Sequence, residues 1–320
     1  MAIDRNAFGF ESTTDEVLDG ISLEGRRAVI TGTSGGLGAE TARALAARGA
    51  KITLAARNLD KLEAVAASIR ESTGNPNIDI GALDLTSADS IRGFAANWLA
   101  SHDALNLLVN NAGIMACPLA RTPEGWELQF ATNHLGHFLL TALLAPALVA
   151  GAPARVVNLS SAGHRFGGVD FDDLHYERRD YDKWQAYGQS KSANVLFTVE
   201  LDRRLRAKGV RSFAVHPGVI MTELARHLTP DDIKELMDRA PGDGGMVWKS
   251  VEAGAATSCW AATATELDGR GGLYLEDCGI AEPAESAEGA QGVMPHAIDP
   301  EAATRLWAIS EELTGVRFDA

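Results

Sequence analysis

The chain has 320 residues, 46% of them hydrophobic, enough for one large core and too apolar for a disordered polymer. Its 29 basic and 43 acidic residues give a formal charge of −14, which disfavours nucleic acid and anionic membranes as partners, because phosphate binding needs clustered Lys and Arg. Three scattered cysteines, Cys117, Cys259 and Cys278, form no C-x-x-C pair and argue against a disulfide framework or a zinc site; reduced thiols in a cytoplasmic protein are expected.

Residues 1–20 are polar and acidic and lack the basic-then-apolar order of a signal peptide; 1–25 is read as an N-terminal extension. A β-branched run at 27–31 predicts a buried strand, followed by a helix over 36–48 and a strand over 51–56. Asn58 caps a helix whose Leu59, Leu62, Val65, Ala66 and Ile69 share one face. A strand over 77–83, a helix over 87–99 and a strand over 105–109 follow. Thr122, Pro123 and Glu124 are expected to start a long helix reaching Val149, with Pro in a tolerated first-turn position. The apolar stretch 138–151 inside it is too short to span a bilayer, so no membrane anchor is expected. Strands over 154–159 and 210–215 flank a helix over 184–206, and a short strand at 272–275 closes the sheet. Residues 281–292 read as a surface loop, and a last helix over 300–314 packs through Leu306, Ile309 and Leu313.

This alternation demands parallel strands, right-handed crossovers and helices on both faces. The fold class is therefore α/β: a doubly wound, Rossmann-like parallel sheet in three layers. A single domain is expected over 26–280, with a substrate lid at 219–248 and a C-terminal loop and helix at 281–320. Ligands of such sheets bind at the carboxyl ends of the strands, near the switch point.

One such end carries Gly32, Thr33, Ser34, Gly35, Gly36, Leu37 and Gly38 between strand and helix. Glycines there let the backbone turn sharply and approach a diphosphate, which the free amides of the helix start then face. A plain tight turn has the same composition, but the strand–turn–helix setting favours a dinucleotide. The spacing T-G-x-x-x-G-x-G resembles the short-chain dehydrogenase/reductase family.

The second strand ends at Arg57 with no carboxylate beside it, where an NAD enzyme places an acid for the ribose hydroxyls. Arg57 suits a 2′-phosphate, so NADP is favoured over NAD, with a solvated surface Arg as the other reading. The resemblance implies that Asp84 and Leu85 contact the adenine, and that the N-N-A-G motif at Asn110, Asn111, Ala112 and Gly113 stabilises the sheet beside the cofactor. Pro217, Gly218 and Thr222 match the family's P-G-x-x-x-T, which contacts the nicotinamide carboxamide.

Tyr187 and Lys191 form Y-x-x-x-K, and i, i+4 spacing puts both on one helix face. Reducing a carbonyl by hydride creates an alkoxide that needs a proton. A phenol of pKa ~10 can supply it, and a nearby ammonium and a positive nicotinamide are expected to lower that pKa. A serine hydroxyl at the end of the strand over 154–159 would polarise the carbonyl; the resemblance implies Ser161, with Ser160 as the fallback and a pair of strand-end caps as the other reading. By the resemblance, Asn133 holds a water that links Lys191 to solvent, and Tyr187 and Lys191 also touch the cofactor. His134 and His137 are read as packing histidines, and no metal is expected.

The phrasing 132–141 and 191–197 is similar to the retinol dehydrogenase and WW-domain oxidoreductase branch. The implied reaction is hydride transfer between NADP(H) and an alcohol or carbonyl. Aromatic residues of the long insert 162–186 (Phe166, Phe171, Tyr176, Tyr181, Trp184) and lid residues Leu224, Leu228, Ile233, Leu236 and Met237 point to a bulky hydrophobic or aromatic small molecule. A carbon–carbon double-bond reductase of the protochlorophyllide type and a non-catalytic NADP-sensing protein are the rival readings. A homo-oligomer, dimer or tetramer, is expected.

Overall fold

A computed structural model describes residues 8–238, 247–286 and 291–318. The parts of the expected N-terminal extension, lid and C-terminal loop at 1–7, 239–246 and 287–290 lie outside the described residues. Eight strands form one sheet: β1 (Arg27–Thr31), β2 (Lys51–Ala56), β3 (Ile78–Ala82), β4 (Leu107–Asn110), β5 (Ala154–Leu159), β6 (Val210–His216), β7 (Leu273–Glu276) and β8 (Gly279–Ile280). Their spatial order is β3-β2-β1-β4-β5-β6-β7-β8, parallel except for β8. The chain reverses direction across the sheet between β1 and β4, which opens the crevice expected at their carboxyl ends.

The strands read as continuous apolar runs because both faces are covered. Ala28 and Ile30 of β1, with Leu107 and Val109 of β4, face α2 (Gly36–Ala47), α3 (Leu59–Thr73) and α9 (Val251–Thr263). The intervening Val29 and Leu108 face α4 (Ala88–Leu99), α6 (Gly136–Ala150) and α7 (Lys183–Leu205). Trp307 of α10 (Pro300–Thr314) fills the outer part of that second layer against Phe138 and Phe197. A short helix, α1 (Thr14–Val17), packs the N-terminal segment onto α9.

Two elements depart from expectation. The long helix does not start at Thr122: residues 122–125 close a turn through Gly125 N–H to the Thr122 carbonyl, and the helix begins at α5 (Leu128–Phe130). Glu127 is the reason, since its buried carboxylate accepts the free amides of Gln129 and Phe130 and caps the helix there. A π-helical turn (Ala131–Leu135) then joins α5 to α6. The continuous helix Leu128–Ala150 is apolar and long enough to cross a membrane, but 78% of its apolar window is buried inside the protein. The other departure is β8, reached through a turn in which Asp277 and Cys278 both have positive φ (+48° and +56°). Such hairpin turns are signalled by Asn-Gly or Asp-Gly, and here neither residue is glycine.

His134 and His137 are both core residues. His134 packs among Phe130, Phe138 and Phe197, with its Nε2 2.8 Å from the Ser310 hydroxyl, while His137 Nε2 lies 2.9 Å from that of Thr31. Burial pushes His134 down to about 3 and His137 down to about 4. The unfolded chain therefore takes up protons that the folded one refuses. Their stabilising contribution is full above the unfolded value of ~6.5 and is lost as pH falls toward 4. Each histidine costs on the order of 2 kcal/mol at pH 5. The thermal midpoint should drop between pH 6.5 and 4.5, and His134→Asn should flatten that drop; a variant whose midpoint falls as steeply as the parent's would contradict this.

Candidate active site

A cavity of about 1360 Å³ runs along the carboxyl ends of the strands, from Arg57 past the glycine turn to Tyr187. That exceeds the ~300–1,000 Å³ of ordinary small-molecule sites and leaves room for a dinucleotide and a second molecule. Every residue expected at the cofactor and catalytic positions lines it, except Asn133, which lies buried behind Gly113.

At the switch point Gly32 has φ +72°, and a Cβ there would stand 2.7 Å from the Ala112 Cα. A side chain would thus push β1 away from the N-N-A-G segment. That segment is laced to β1: Asn111 Nδ2 donates to the Thr31 carbonyl at 2.8 Å, and the Asn111 and Ala112 amides donate to the Thr31 hydroxyl at 2.9 and 3.0 Å. Asn110 braces β4 to its neighbours through Asn158 Oδ1 and Thr141 Oγ1. No side chain caps α2 at Gly35, so its first amides remain available to an anion. The bare cradle and these free amides fit a diphosphate.

At the far edge Arg57 is exposed at the rim of the cavity and pairs with no other described residue. Lys61, one helical turn on, reaches across the mouth to Glu223 at 3.3 Å. Asp84 lines the cavity, but its Oδ1 is engaged by the amide and hydroxyl of Thr86, so it also serves its own turn. Leu85 lies beside it, and Thr222 faces Gly36, where a Cβ would stand 3.5 Å from the Thr222 methyl.

At the reacting end Tyr187, Lys191 and Ser161 converge. Lys191 Nζ donates to the Leu159 carbonyl at 3.1 Å and stands 5.6 Å from the Tyr187 ring centre. Ser161 Oγ accepts from Gly163 N at 3.0 Å and touches the phenol. The Ser160 hydroxyl is engaged elsewhere, donating to the Lys191 carbonyl at 2.9 Å, so Ser161 is the member of the pair free to face a ligand. Gly163 permits the arrangement, since a Cβ there would lie 2.5 Å from the tyrosine ring. His164 Nδ1 and His216 Nδ1 hold the Ser161 carbonyl and the Ala162 amide from either side.

The phenol differs from expectation. Burial pushes Tyr187 up to about 12, and the Ser161 contact opposes this only in part. Burial also pulls Lys191 down to about 8. Desolvation dominates the shift of both groups. Asn133 differs too: its side chain is committed to both backbone groups of Ile114 and to Ser190, and its own carbonyl accepts from His137 Nδ1 at 3.0 Å. It fixes the wall behind Gly113, 3.2 Å from where a Cβ would stand, with Lys191 Nζ 3.6 Å from the same point.

Of the aromatic residues of the insert 162–186, only Phe166 lines the cavity. Phe171 lies under Arg305, Tyr176 under Arg179 and against Tyr181, and Tyr181 donates to the Cys117 carbonyl. Trp184 packs edge-on to Phe166 and donates to Glu235 of α8 (Pro230–Asp238), seating that helix against the start of α7 together with the Lys183–Asp232 ion pair. Of the expected lid residues, Leu224 and Leu236 line the cavity, Leu228 and Ile233 do not, and the Met237 side chain lies outside the described part. Phe10, Ile114, Met115, Leu128, Arg165 and Asp277 are wall residues that no motif announces.

The short chain dehydrogenase family model matches residues 26–233. The chain is 43% identical over 299 residues to human retinol dehydrogenase 12, covering 93% of this chain and 89% of that one. A crystal structure of an uncharacterized protein from Mycobacterium paratuberculosis shares 36% identity and a TM-score of 0.74, over 97% of this chain and 100% of that one. A gluconate 5-dehydrogenase from Burkholderia cenocepacia, solved with NADP and tartrate, shares 26% identity and a TM-score of 0.64, over 81% and 96%. With a matching family model across most of its length and the strand order and crevice described above, this chain belongs to the short-chain dehydrogenase/reductase family.

Proposed function

We propose that the protein transfers hydride between NADP(H) and a bulky apolar alcohol or carbonyl. The observation that carries this reading is the convergence of Tyr187, Lys191 and Ser161 on a cavity continuous with the glycine turn. Arg57 at the rim, with no acid in its place, supports NADP over NAD. The NADP in the related gluconate 5-dehydrogenase shows that this family accommodates it. The substrate end is walled by Ile114, Met115, Leu128, Phe166, Leu224 and Leu236, which suits an apolar molecule of the kind named in the retinol dehydrogenase relative.

When bound, the dinucleotide supplies or accepts the hydride. The chain's own work is positional and protonic. Ser161 donates a hydrogen bond to the carbonyl oxygen and favours the charge that develops there. Tyr187, kept protonated at neutral pH by burial, gives its proton to that oxygen. Lys191, held by the Leu159 carbonyl, stabilises the phenolate that remains.

Tyr187→Phe should cut turnover by about 10³-fold or more while NADPH still binds; loss of binding along with turnover would contradict the assignment. Arg57→Asp should move the ratio of kcat/KM for NADPH over NADH toward NADH by about tenfold or more, and an unchanged ratio would remove Arg57 from the site. Gly163→Ala should lower kcat with cofactor affinity intact, because the new methyl displaces the phenol ring; wild-type kcat would show that the ring's seat is not critical.

A further inference from the structure

Lys249 carries a charge that the reaction does not use. Its side chain is 1% exposed, and a buried ammonium is costly where a leucine would fill the same space. Three contacts fix it. Its Nζ meets Asp277 Oδ1 at 2.6 Å and stands 4.6 Å from the centre of the Phe10 ring. Its stem lies against Gly218, where φ is +91° and a Cβ would come within 2.7 Å of Lys249 Cδ. The backbone joins in, since Lys249 N–H donates to the Val219 carbonyl at 2.9 Å. Each contact comes from a different part of the chain: the loop after β6, the β7–β8 turn and the N-terminal segment. Gly218, Asp277 and Phe10 all line the cavity. Asp277 also holds a positive φ of +48°, a strain that non-glycine residues keep only where surrounding contacts enforce it.

We infer that Lys249 is a positioning residue for the nicotinamide half of the cofactor site, and that the N-terminal segment completes this site through Phe10. The inference rests on the reading of 217–219 as the nicotinamide-side loop. Phe10 lies outside the stretch 26–233 matched by the family model, as do Lys249 and Asp277. The clamp sets how far the Pro217–Val219 backbone stands from the sheet end, and so where a ring lying on that loop comes to rest. It does not touch the adenosine end, which Arg57 and Asp84 border on the opposite side of the switch point. A fault in the clamp should therefore weaken the hold on the nicotinamide and leave the rest of the nucleotide bound as before.

The test titrates the full chain with NADPH and NADH, and with 2′-phospho-ADP-ribose and ADP-ribose, which lack the nicotinamide. Lys249→Met should raise the dinucleotide Kd about tenfold and Phe10→Leu about threefold, with the fragments unchanged within about twofold. Should Lys249→Met not fold because Asp277 is left unpaired, the Lys249→Met/Asp277→Asn pair and Phe10→Leu carry the same comparison. Equal losses for dinucleotides and fragments, or no loss for either, would overturn the inference and leave the cofactor reading standing. Wild-type protein that binds none of the four ligands would overturn both, whereas equal affinity for NADH and NADPH would remove only the NADP preference.

Discussion

The geometry of the site hangs on the Lys191 ammonium being buried against the carboxyl end of β5. The Leu159 carbonyl accepts from Lys191 Nζ at 3.1 Å and from Asn194 Nδ2 at 2.9 Å, so two residues of α7 are pinned to one strand end. That fixes the rotation and height of α7 against the sheet. Tyr187, one turn earlier on the same face, has its place set as a consequence. The approach is close enough that side chains are excluded where backbone and ring meet: a Cβ on Gly188 would lie 2.9 Å from the Gly163 carbonyl, and one on Gly163 would strike the tyrosine. Burial makes the ammonium hard to keep charged, which is why its pKa falls to about 8 while remaining above neutrality.

The same economy governs the cofactor end. The chain as a whole carries −14, yet the rim of the groove presents Arg57 and Lys61, and the inner wall presents amides from α2. An anionic ligand meets local donors before it meets the global field, whose reach is cut to ~10 Å by ordinary salt. Net charge thus bears on macromolecular partners and says little about a nucleotide. The acidic surface and a phosphate-binding groove coexist because they act at different distances.

Much of this was legible in the sequence because the signals were local. Seven strands announce themselves as short apolar runs; the glycine turn, N-N-A-G and P-G-x-x-x-T each fall at a strand end, and Y-x-x-x-K falls in the first turns of the long helix after β5. The order of these motifs along the crevice follows the strand order β3-β2-β1-β4-β5-β6, which turns at β1. What escaped was set by tertiary contacts. The helix start moved from Thr122 to Leu128 because Glu127, a residue of modest capping preference, is buried where it can accept two amides. The π-turn at Ala131–Leu135 has no compositional mark. The hairpin into β8 uses Asp277 and Cys278 at positive φ, and part of what holds Asp277 there is an ion pair with a lysine 28 residues away.

The substrate wall was the least legible part, and the reason is geometric. The insert 162–186 is aromatic, and aromatic residues just before Tyr187 invite a binding role. In the fold, most of that surface is consumed in seating other elements: Phe171 meets Arg305 of α10, and Trp184 anchors α8. The apolar wall of the cavity is drawn from separate pieces: Phe10 of the N-terminal segment, Ile114 and Met115 after β4, Phe166 after β5, Leu224 after β6, Leu128 of α5 and Leu236 of α8. No stretch of sequence is long enough to carry that pattern, since each contributor is governed by its own element's packing. Specificity in such a wall is a property of how the pieces are held, so residues behind the wall, such as Trp184 under Phe166, shape the site as surely as the residues that face it.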